Sequence, residues 1–123
     1  CAAKHGLIGY MDALRAEVSV RHNIQVTNVL PGSVATNVSR NALTADGDAR
    51  GKSDANIDNG DDPLECAAAI LDAIDQNAPE IIFAKGMELE LAKARHADPE
   101  HLFSTVASFG ASIAERYEAG NDD

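Results

Sequence analysis

Two segments of this 123-residue sequence contain residues whose type and position could do chemistry. The first begins CAAKHGLIGYM and carries Lys4, and the second, IQVTNVLPGSVATNV, places Pro31 and Gly32 directly after a run of β-forming residues. Open α/β sheets bind ligands beyond the carboxyl ends of their parallel strands, and a glycine there lets the backbone approach a flat ring. A single lysine on a helix is usually a solvated charge and Pro-Gly is usually a turn, so a functional interpretation depends on the two segments acting together.

The elements around these segments predict an α/β fold. A helix is predicted over residues 1–22 by four apolar residues at helical spacing, Leu7, Met11, Leu14 and Val18. Runs of β-forming residues predict strands over about 24–30 and 80–84, and the pair Asp62-Pro63 predicts the start of a helix between them. A strand, a helix and a strand in succession form a crossover, which makes the two strands parallel.

The remaining segments are a polar loop and a helical tail. Residues 33–62 show no periodicity and are rich in Asp, Asn, Gly and Ser, which is typical of a lid or binding loop, so we interpret them as a substrate lid. Residues 87–123 predict a C-terminal helical extension, with a second helix that begins at Asp98-Pro99 and ends near Gly120. We expect two apolar stretches to be core: residues 64–74 and the stripe Leu102, Val106, Phe109, Ile113 and Tyr117.

Two parallel strands are too few for an independent sheet, because parallel sheets are buried on both faces and normally contain several strands. The chain also begins at Cys1 in helical sequence, with no Ser, Thr, Asp or Asn before it as a cap. The sequence therefore predicts part of a larger doubly wound parallel sheet that is incomplete on its own.

Charge and cysteine content disfavour several classes of protein. Lys and Arg total 10 against 20 Asp and Glu, a formal net charge of -10, which argues against nucleic-acid or membrane-surface partners. The two cysteines, Cys1 and Cys66, form no CxxC pair, so we expect reduced thiols and a cytoplasmic location. We predict no metal site, since the calcium-loop pattern that starts at Asp46 has Arg50 and Ile57 at ligand positions.

The two segments together resemble the C-terminal half of the short-chain dehydrogenase/reductase family. That family has a Tyr-x-x-x-Lys pair on a helix, then a strand that ends in Pro-Gly, then a Val-x-Thr turn. Lys4 matches the lysine, and the second motif is matched by Pro31, Gly32, Val34 and Thr36. The tyrosine would stand one position before the first residue. The resemblance covers residues 1 to about 85, and the segment NALTADG is most similar to the branch called dehydrogenase/reductase member seven.

The resemblance implies a single NAD(P)-binding Rossmann-like domain, of which residues 1–123 are the C-terminal portion. It implies an oxidoreductase that moves a hydride between NAD(P)(H) and a carbonyl or alcohol substrate. Residues 1–22 would be the active-site helix, where Lys4 would bind the nicotinamide ribose and lower the pKa of the tyrosine. An ammonium about 5 Å from a phenol favours the phenolate by roughly 3 kcal/mol at an effective dielectric of ~20.

The resemblance also assigns roles to the second motif. Pro31 and Gly32 would form the turn beside the nicotinamide ring, and the main chain at Val34 would hold its carboxamide. The Thr36 hydroxyl would bind the amide or the pyrophosphate. The resemblance also implies a homo-oligomer that associates through the first helix, whose glycines leave one side with little side-chain bulk.

The sequence contains no Gly-x-Gly-x-x-Gly turn, and the family's catalytic serine and tyrosine have no counterpart in it, so we expect the 123-residue chain to be inactive alone. Two alternatives remain open: a non-catalytic acidic α/β binding or scaffold module, and a pseudoenzyme in which the tyrosine is replaced. A tyrosine codon directly before Cys1 favours the enzyme, a start codon there favours the module, and a codon for another residue favours the pseudoenzyme.

Overall fold

The structure is a computed structural model that describes residues 2–119, apart from the side chain of Tyr117. Within this range the chain forms five helices and two strands. In chain order they are α1 (Ala2–His22), β1 (Asn28–Pro31), α2 (Ala55–Asp58), α3 (Pro63–Asp75), β2 (Glu80–Phe83), α4 (Gly86–Ala97) and α5 (Pro99–Glu118). Contacts between residues divide the chain into two compact units, residues 1–84 and residues 85–123.

β1 and β2 form a parallel two-stranded sheet. Asn28 lies opposite Glu80 at one end of the ladder, and Pro31 lies opposite Phe83 at the other. α3 makes the connection between the strands and packs on β2. The prediction of an α/β fold with two parallel strands and flanking helices is confirmed.

β1 begins later than the sequence predicted. The prediction covered residues 24–30, whereas the ladder covers Asn28–Pro31. Two backbone carbonyls that precede the strands accept hydrogen bonds from side chains. Arg15 Nε donates to the carbonyl of Val26 (3.1 Å), and Thr27 Oγ1 donates to the carbonyl of Ala78 (2.8 Å). The run of β-forming residues therefore begins before the first residue that pairs with β2, and β-propensity alone does not show where pairing starts.

The predicted apolar stripe of α1 is wrong at one position. Leu7 is 48% exposed, while the residue after it, Ile8, is half-buried. The other three predicted positions are half-buried, Met11, Leu14 and Val18. One residue step turns a side chain by about 100° around a helix, so the face that α1 packs inward is displaced by one step at its beginning.

α3 begins as predicted but buries a different face. Asp62 accepts a hydrogen bond from the backbone N–H of Leu64 (2.8 Å), and a proline occupies the first turn, which confirms the cap. The expectation that residues 64–74 are core is wrong in part, because Leu64 is 78% exposed and Leu71 is 63% exposed. The buried side chains are the small ones of Cys66 and Ala73. Small side chains on that face let the helix backbone come close to the strand it packs on.

The second unit contains α4 and α5, which contact each other. The sequence GMELELAKARHA is helical, as its composition favours, and the Arg95 guanidinium lies over the Phe103 ring at 5.5 Å. The expectation that the α5 stripe is core is wrong for three residues, which are 42% to 48% exposed: Val106, Phe109 and Ile113. Gly120, the predicted end of the helix, lies outside the described residues. Within residues 2–119, every helix is too short or too polar to span a bilayer.

Candidate functional site

The turn after β1 is held at the carboxyl edge of the sheet. Pro31 is the last strand residue and is exposed, whereas Gly32 is half-buried. The N–H of Gly32 donates to the carbonyl of Phe83 (2.8 Å), which continues the pairing with β2 for one residue beyond the ladder. The backbone at Pro31-Gly32 is therefore fixed at the edge where open α/β sheets bind their ligands.

The base of segment 33–62 is closed by backbone hydrogen bonds. The N–H of Asp61 donates to the carbonyl of Ser33 (2.9 Å), and the N–H of Ala35 donates to the carbonyl of Asp61 (2.9 Å). These bonds form a parallel bridge between Val34 and Asp61. Gly60 makes this approach possible, because a Cβ on it would lie 2.7 Å from the carbonyl carbon and oxygen of Ser33.

The interior of segment 33–62 has more regular structure than its composition predicted. It contains α2, whose first turn is capped by Asp54, and an antiparallel bridge between Leu43 and Ala49. Ser39 is buried, and its Oγ accepts hydrogen bonds from Arg50 Nη1 (2.9 Å) and from the N–H of Asp54 (3.0 Å). The prediction of an aperiodic segment missed α2 and the bridge, which are too short to produce a hydrophobic period, and it missed the Ser39 contacts, which join residues 11 and 15 positions apart. The role of the segment as a substrate lid stays a prediction.

Thr36 lines a cavity of about 240 Å³ that also borders Ala35, Asn37 and Asp58. The Oγ1 of Thr36 accepts from the N–H of Val38 (3.4 Å), so the hydroxyl hydrogen is available to a ligand. Sequence analysis did not find Asp58, because only closure of the segment brings α2 to Thr36. The available signal was the Asp54 cap with a glycine shortly after the helix. Among residues 2–119, no group of three or more His, Cys, Asp and Glu side chains is placed to hold a metal ion.

α1 runs antiparallel to β1, and two side-chain contacts show the direction. Arg15 contacts the carbonyl of Val26, and the Oδ1 of Asp12 accepts from Asn28 Nδ2 (3.0 Å). A step back along the helix is thus a step forward along the strand. The amino end of α1 therefore extends toward the carboxyl end of β1.

Counted from the hydrogen bond between Asp12 and Asn28, Lys4 and Gly32 lie at similar distances along the helix and along the strand. Lys4 precedes Asp12 by eight residues of helix, about 12 Å. Gly32 follows Asn28 by four residues of extended chain, about 13 Å. Lys4 is exposed and makes no hydrogen bond or ion pair with another described residue. The structure thus brings Gly32, Val34 and Thr36 to one edge, and among the described residues it shows no contact between Lys4 and any of them.

The chain is similar to curated dehydrogenase/reductases. It is 36% identical over 107 residues to dehydrogenase/reductase SDR family member 7B of Bos taurus, a match that covers 87% of this chain and 33% of the relative. It is 37% identical over 102 residues to dehydrogenase/reductase SDR family protein 7-like of Anopheles gambiae, covering 83% and 32%. Against member 7B of Danio rerio it is 40% identical over 83 residues, covering 68% and 26%.

These matches define the class of protein: the chain belongs to the short-chain dehydrogenase/reductase (SDR) family. Within that family its similarity is to the member 7B and 7-like proteins, and both the predicted family and the predicted branch are confirmed. The chain spans about a third of the length of the curated relatives it matches. Together with the parallel sheet, membership identifies the fold as part of a Rossmann-like domain. No protein-family model matches the chain, and no solved structure matches it.

Proposed function

We propose that this chain is the C-terminal portion of an NAD(P)-dependent oxidoreductase of the short-chain type, acting on a carbonyl or alcohol substrate. The observation that carries the proposal is the similarity to proteins named dehydrogenase/reductase over 107 of the 123 residues. The position of the Pro31-Gly32 turn at the carboxyl edge of two parallel strands supports it. Because the chain spans about a third of the length of these relatives, the activity of the whole protein is part of this proposal.

The residues at the strand edge fit a nicotinamide cofactor, which when bound supplies or accepts the hydride. Thr36 offers a hydroxyl donor, because no described residue accepts a hydrogen bond from its Oγ1, which itself accepts from the N–H of Val38. The same cavity is bordered by Asn37 and by the carboxylate of Asp58. A carboxylate attracts the N–H groups of an amide and repels a pyrophosphate, so we assign the Thr36 cavity to the carboxamide end of the cofactor.

Lys4 would act from the other side of the turn. Its ammonium would donate hydrogen bonds to the hydroxyls of the nicotinamide ribose. On the helix it would also lie one turn from the tyrosine that the family places four residues earlier, and its positive charge would lower the pKa of that phenol. A phenol with a lowered pKa exchanges a proton with the substrate oxygen more readily at neutral pH.

The proposed enzyme is a homo-oligomer that associates through α1. Two large side chains on this helix are exposed, Leu7 at 48% and Tyr10 at 64%. A Cβ added at Gly6 or Gly9 would meet no heavy atom within 4 Å, so this side of the helix is open to close approach by another helix. The exposed side chains and the open glycine side of α1 thus support the proposed association.

A cofactor titration of the full-length protein tests the function. Lys4→Ala is expected to weaken NAD(P)H binding by about tenfold, because a hydrogen bond from a charged donor contributes ~1.5 kcal/mol or more. Turnover should fall further, since the phenolate also loses its electrostatic partner. The matched control is Lys93→Ala, which removes an exposed lysine of α4 and the same charge. If Lys4→Ala binds cofactor and turns over like Lys93→Ala, the assignment of Lys4 is wrong.

A non-catalytic binding or scaffold module is the second candidate. The exposure of large apolar side chains favours it, with Leu64 and Leu71 on α3 and Phe103 on α5 more than half exposed. The two candidates differ at the position before Cys1. A tyrosine there, together with cofactor binding by the full-length protein, supports the enzyme. A start codon there and no binding of NADH or NADPH support the module, whereas a different residue in place of the tyrosine supports a pseudoenzyme.

A further inference from the structure

Arg15 connects α1 to the beginnings of both strands. Its Nε donates to the carbonyl of Val26 (3.1 Å), just before β1, and its Nη2 donates to the carbonyl of Pro79 (2.7 Å), just before β2. Its Nη1 donates to Asp12 Oδ1 at 2.7 Å on the same helix. A planar guanidinium that meets three acceptors in fixed positions is held in one orientation, and it holds the helix with it.

Asp12 and Asn28 complete this network. The Oδ1 of Asp12 accepts from Arg15 and also from Nδ2 of Asn28 (3.0 Å), which is only 8% exposed. The backbone N–H of Asn28 donates to the Pro79 carbonyl (2.9 Å), the group that also accepts from Arg15. The three side chains, which we call the Arg15 network, therefore link one helix to both strands at their amino ends.

Within residues 2–119, apolar contacts alone do little to fix the rotation of α1. Among its residues, Ala2–His22, none is buried, and the inward stripe is only half-buried. Hydrophobic contact is also non-directional, so a half-buried stripe permits some rotation of the helix about its axis. Directional hydrogen bonds do not permit it, since they weaken steeply when their angles change. Among residues 2–119, the Arg15 network is thus the set of directional contacts that fixes the rotation of α1.

Rotation of α1 determines where Lys4 points. Lys4 and Arg15 are eleven residues apart, which is three helical turns plus about 20°, so both lie on the same face of the helix. They are separated by about 16 Å along the axis. The half-buried residues between them on this face are Ile8 and Met11. The face that Arg15 attaches to the strand starts is therefore also the face that carries Lys4.

We infer that the Arg15 network is a positioning device for Lys4: it sets the rotation of α1 so that the ammonium reaches the cofactor and the phenol. Arg15 contacts neither, and acts only through Lys4. The inference rests on the proposed function, because it assigns the network a role in the reaction of that same site.

A double-mutant cycle on the full-length protein tests the inference. The variants are Arg15→Met, Lys4→Ala and the two combined, and Arg21→Met is the matched control, since it removes an exposed arginine from the same helix. We expect Arg15→Met to lower kcat/KM by about tenfold when Lys4 is present and by less than about twofold when Lys4 is alanine. NADH binding by fluorescence titration, which needs no turnover, should show the same dependence on Lys4. Arg15→Lys should recover part of the loss, while Arg21→Met should have no effect.

The pH profile gives a readout that loss of stability would not produce. If Lys4 is displaced from the phenol, the pKa of the phenol rises toward its ordinary value, so the acid limb of kcat/KM moves to higher pH. Arg15→Met should show this displacement in the same direction as Lys4→Ala. All profiles are measured well below the unfolding temperature, with the folded fraction checked by circular dichroism.

Two results would overturn the inference. One is an equal loss of kcat/KM for Arg15→Met whether residue 4 is lysine or alanine. The other is an acid limb of the kcat/KM profile that does not move in Arg15→Met. Either result would mean that the network only stabilises the fold. If Lys4→Ala alone leaves cofactor binding and turnover unchanged, it is the proposed function that fails. Should Arg15→Met not fold, Asn28→Ser removes a single side-chain hydrogen bond of the network, and the same cycle with Lys4→Ala decides between the two outcomes.

Discussion

Replacing Gly60 by alanine tests whether close backbone approach holds the base of segment 33–62. The new Cβ would lie 2.7 Å from the carbonyl carbon and oxygen of Ser33 and 2.9 Å from the backbone nitrogen of Val34. All three atoms belong to the backbone, so no flexible side chain can move away to make room. The two backbone segments must separate, and the bridge between Val34 and Asp61 must open.

The expected loss follows from the bonds that separation removes. Two hydrogen bonds of 2.9 Å close the base, from Asp61 to Ser33 and from Ala35 to Asp61. Each contributes about 1 kcal/mol net, so opening both costs about 2 kcal/mol. The φ of Gly60 is not positive, so alanine adopts the same backbone conformation without strain. Alanine also restricts the unfolded chain, which stabilises the folded state by ~0.5 kcal/mol. The net expectation is destabilisation of the base by about 1.5 kcal/mol.

Hydrogen exchange measures this quantity locally. The amides of Ala35 and Asp61 should exchange about tenfold faster in Gly60→Ala, since ~1.4 kcal/mol corresponds to a factor of ten in the opening equilibrium. The matched control is Gly110→Ala in α5, where a Cβ would meet nothing within 4 Å and alanine is the better helix former. Unchanged protection of the two amides in Gly60→Ala would refute the steric argument.

Three further predictions concern the cap, the buried face of α3 and the cavity. Asp62→Ala should lower the free energy of unfolding by about 1 kcal/mol in urea titrations, because it removes the cap of α3, and the control Asp72→Ala, at an exposed position, should not; equal losses would contradict the cap assignment. Ala73→Gln should lower the free energy of unfolding by about 2 kcal/mol in the same titrations, because residue 73 is 6% exposed. The exposed control Ala67→Gln should change it by less than about 0.5 kcal/mol, and similar values for the two variants would mean that the buried face is wrongly assigned. Asp58→Asn should weaken NAD(P)H binding a few-fold in fluorescence titrations if the cavity receives the carboxamide, and stronger binding would show that the pyrophosphate lies there instead.

Local signals account for what could be predicted of the fold. The cap at Asp62, the Pro-Gly stop after β1 and the helical content of residues 86–97 each act within a few residues of sequence, and all three are confirmed. The parallel pairing follows from the order of the elements alone, because a strand, a helix and a strand can return to one sheet only by a crossover. The family was accessible for the same reason, since its motifs are short and stand in a fixed order.

The amino-acid sequence by itself determined the four long helices, the presence and pairing of the two strands and the family the chain belongs to, because propensity, caps and motifs are properties of neighbouring residues; it did not predict the short helix α2. Only the tertiary structure decided which face of α3 is buried, where β1 begins, and that Asp58 borders the Thr36 cavity. Those outcomes depend on contacts between residues distant in the chain, such as Arg15 with Pro79, and no local pattern encodes such a contact.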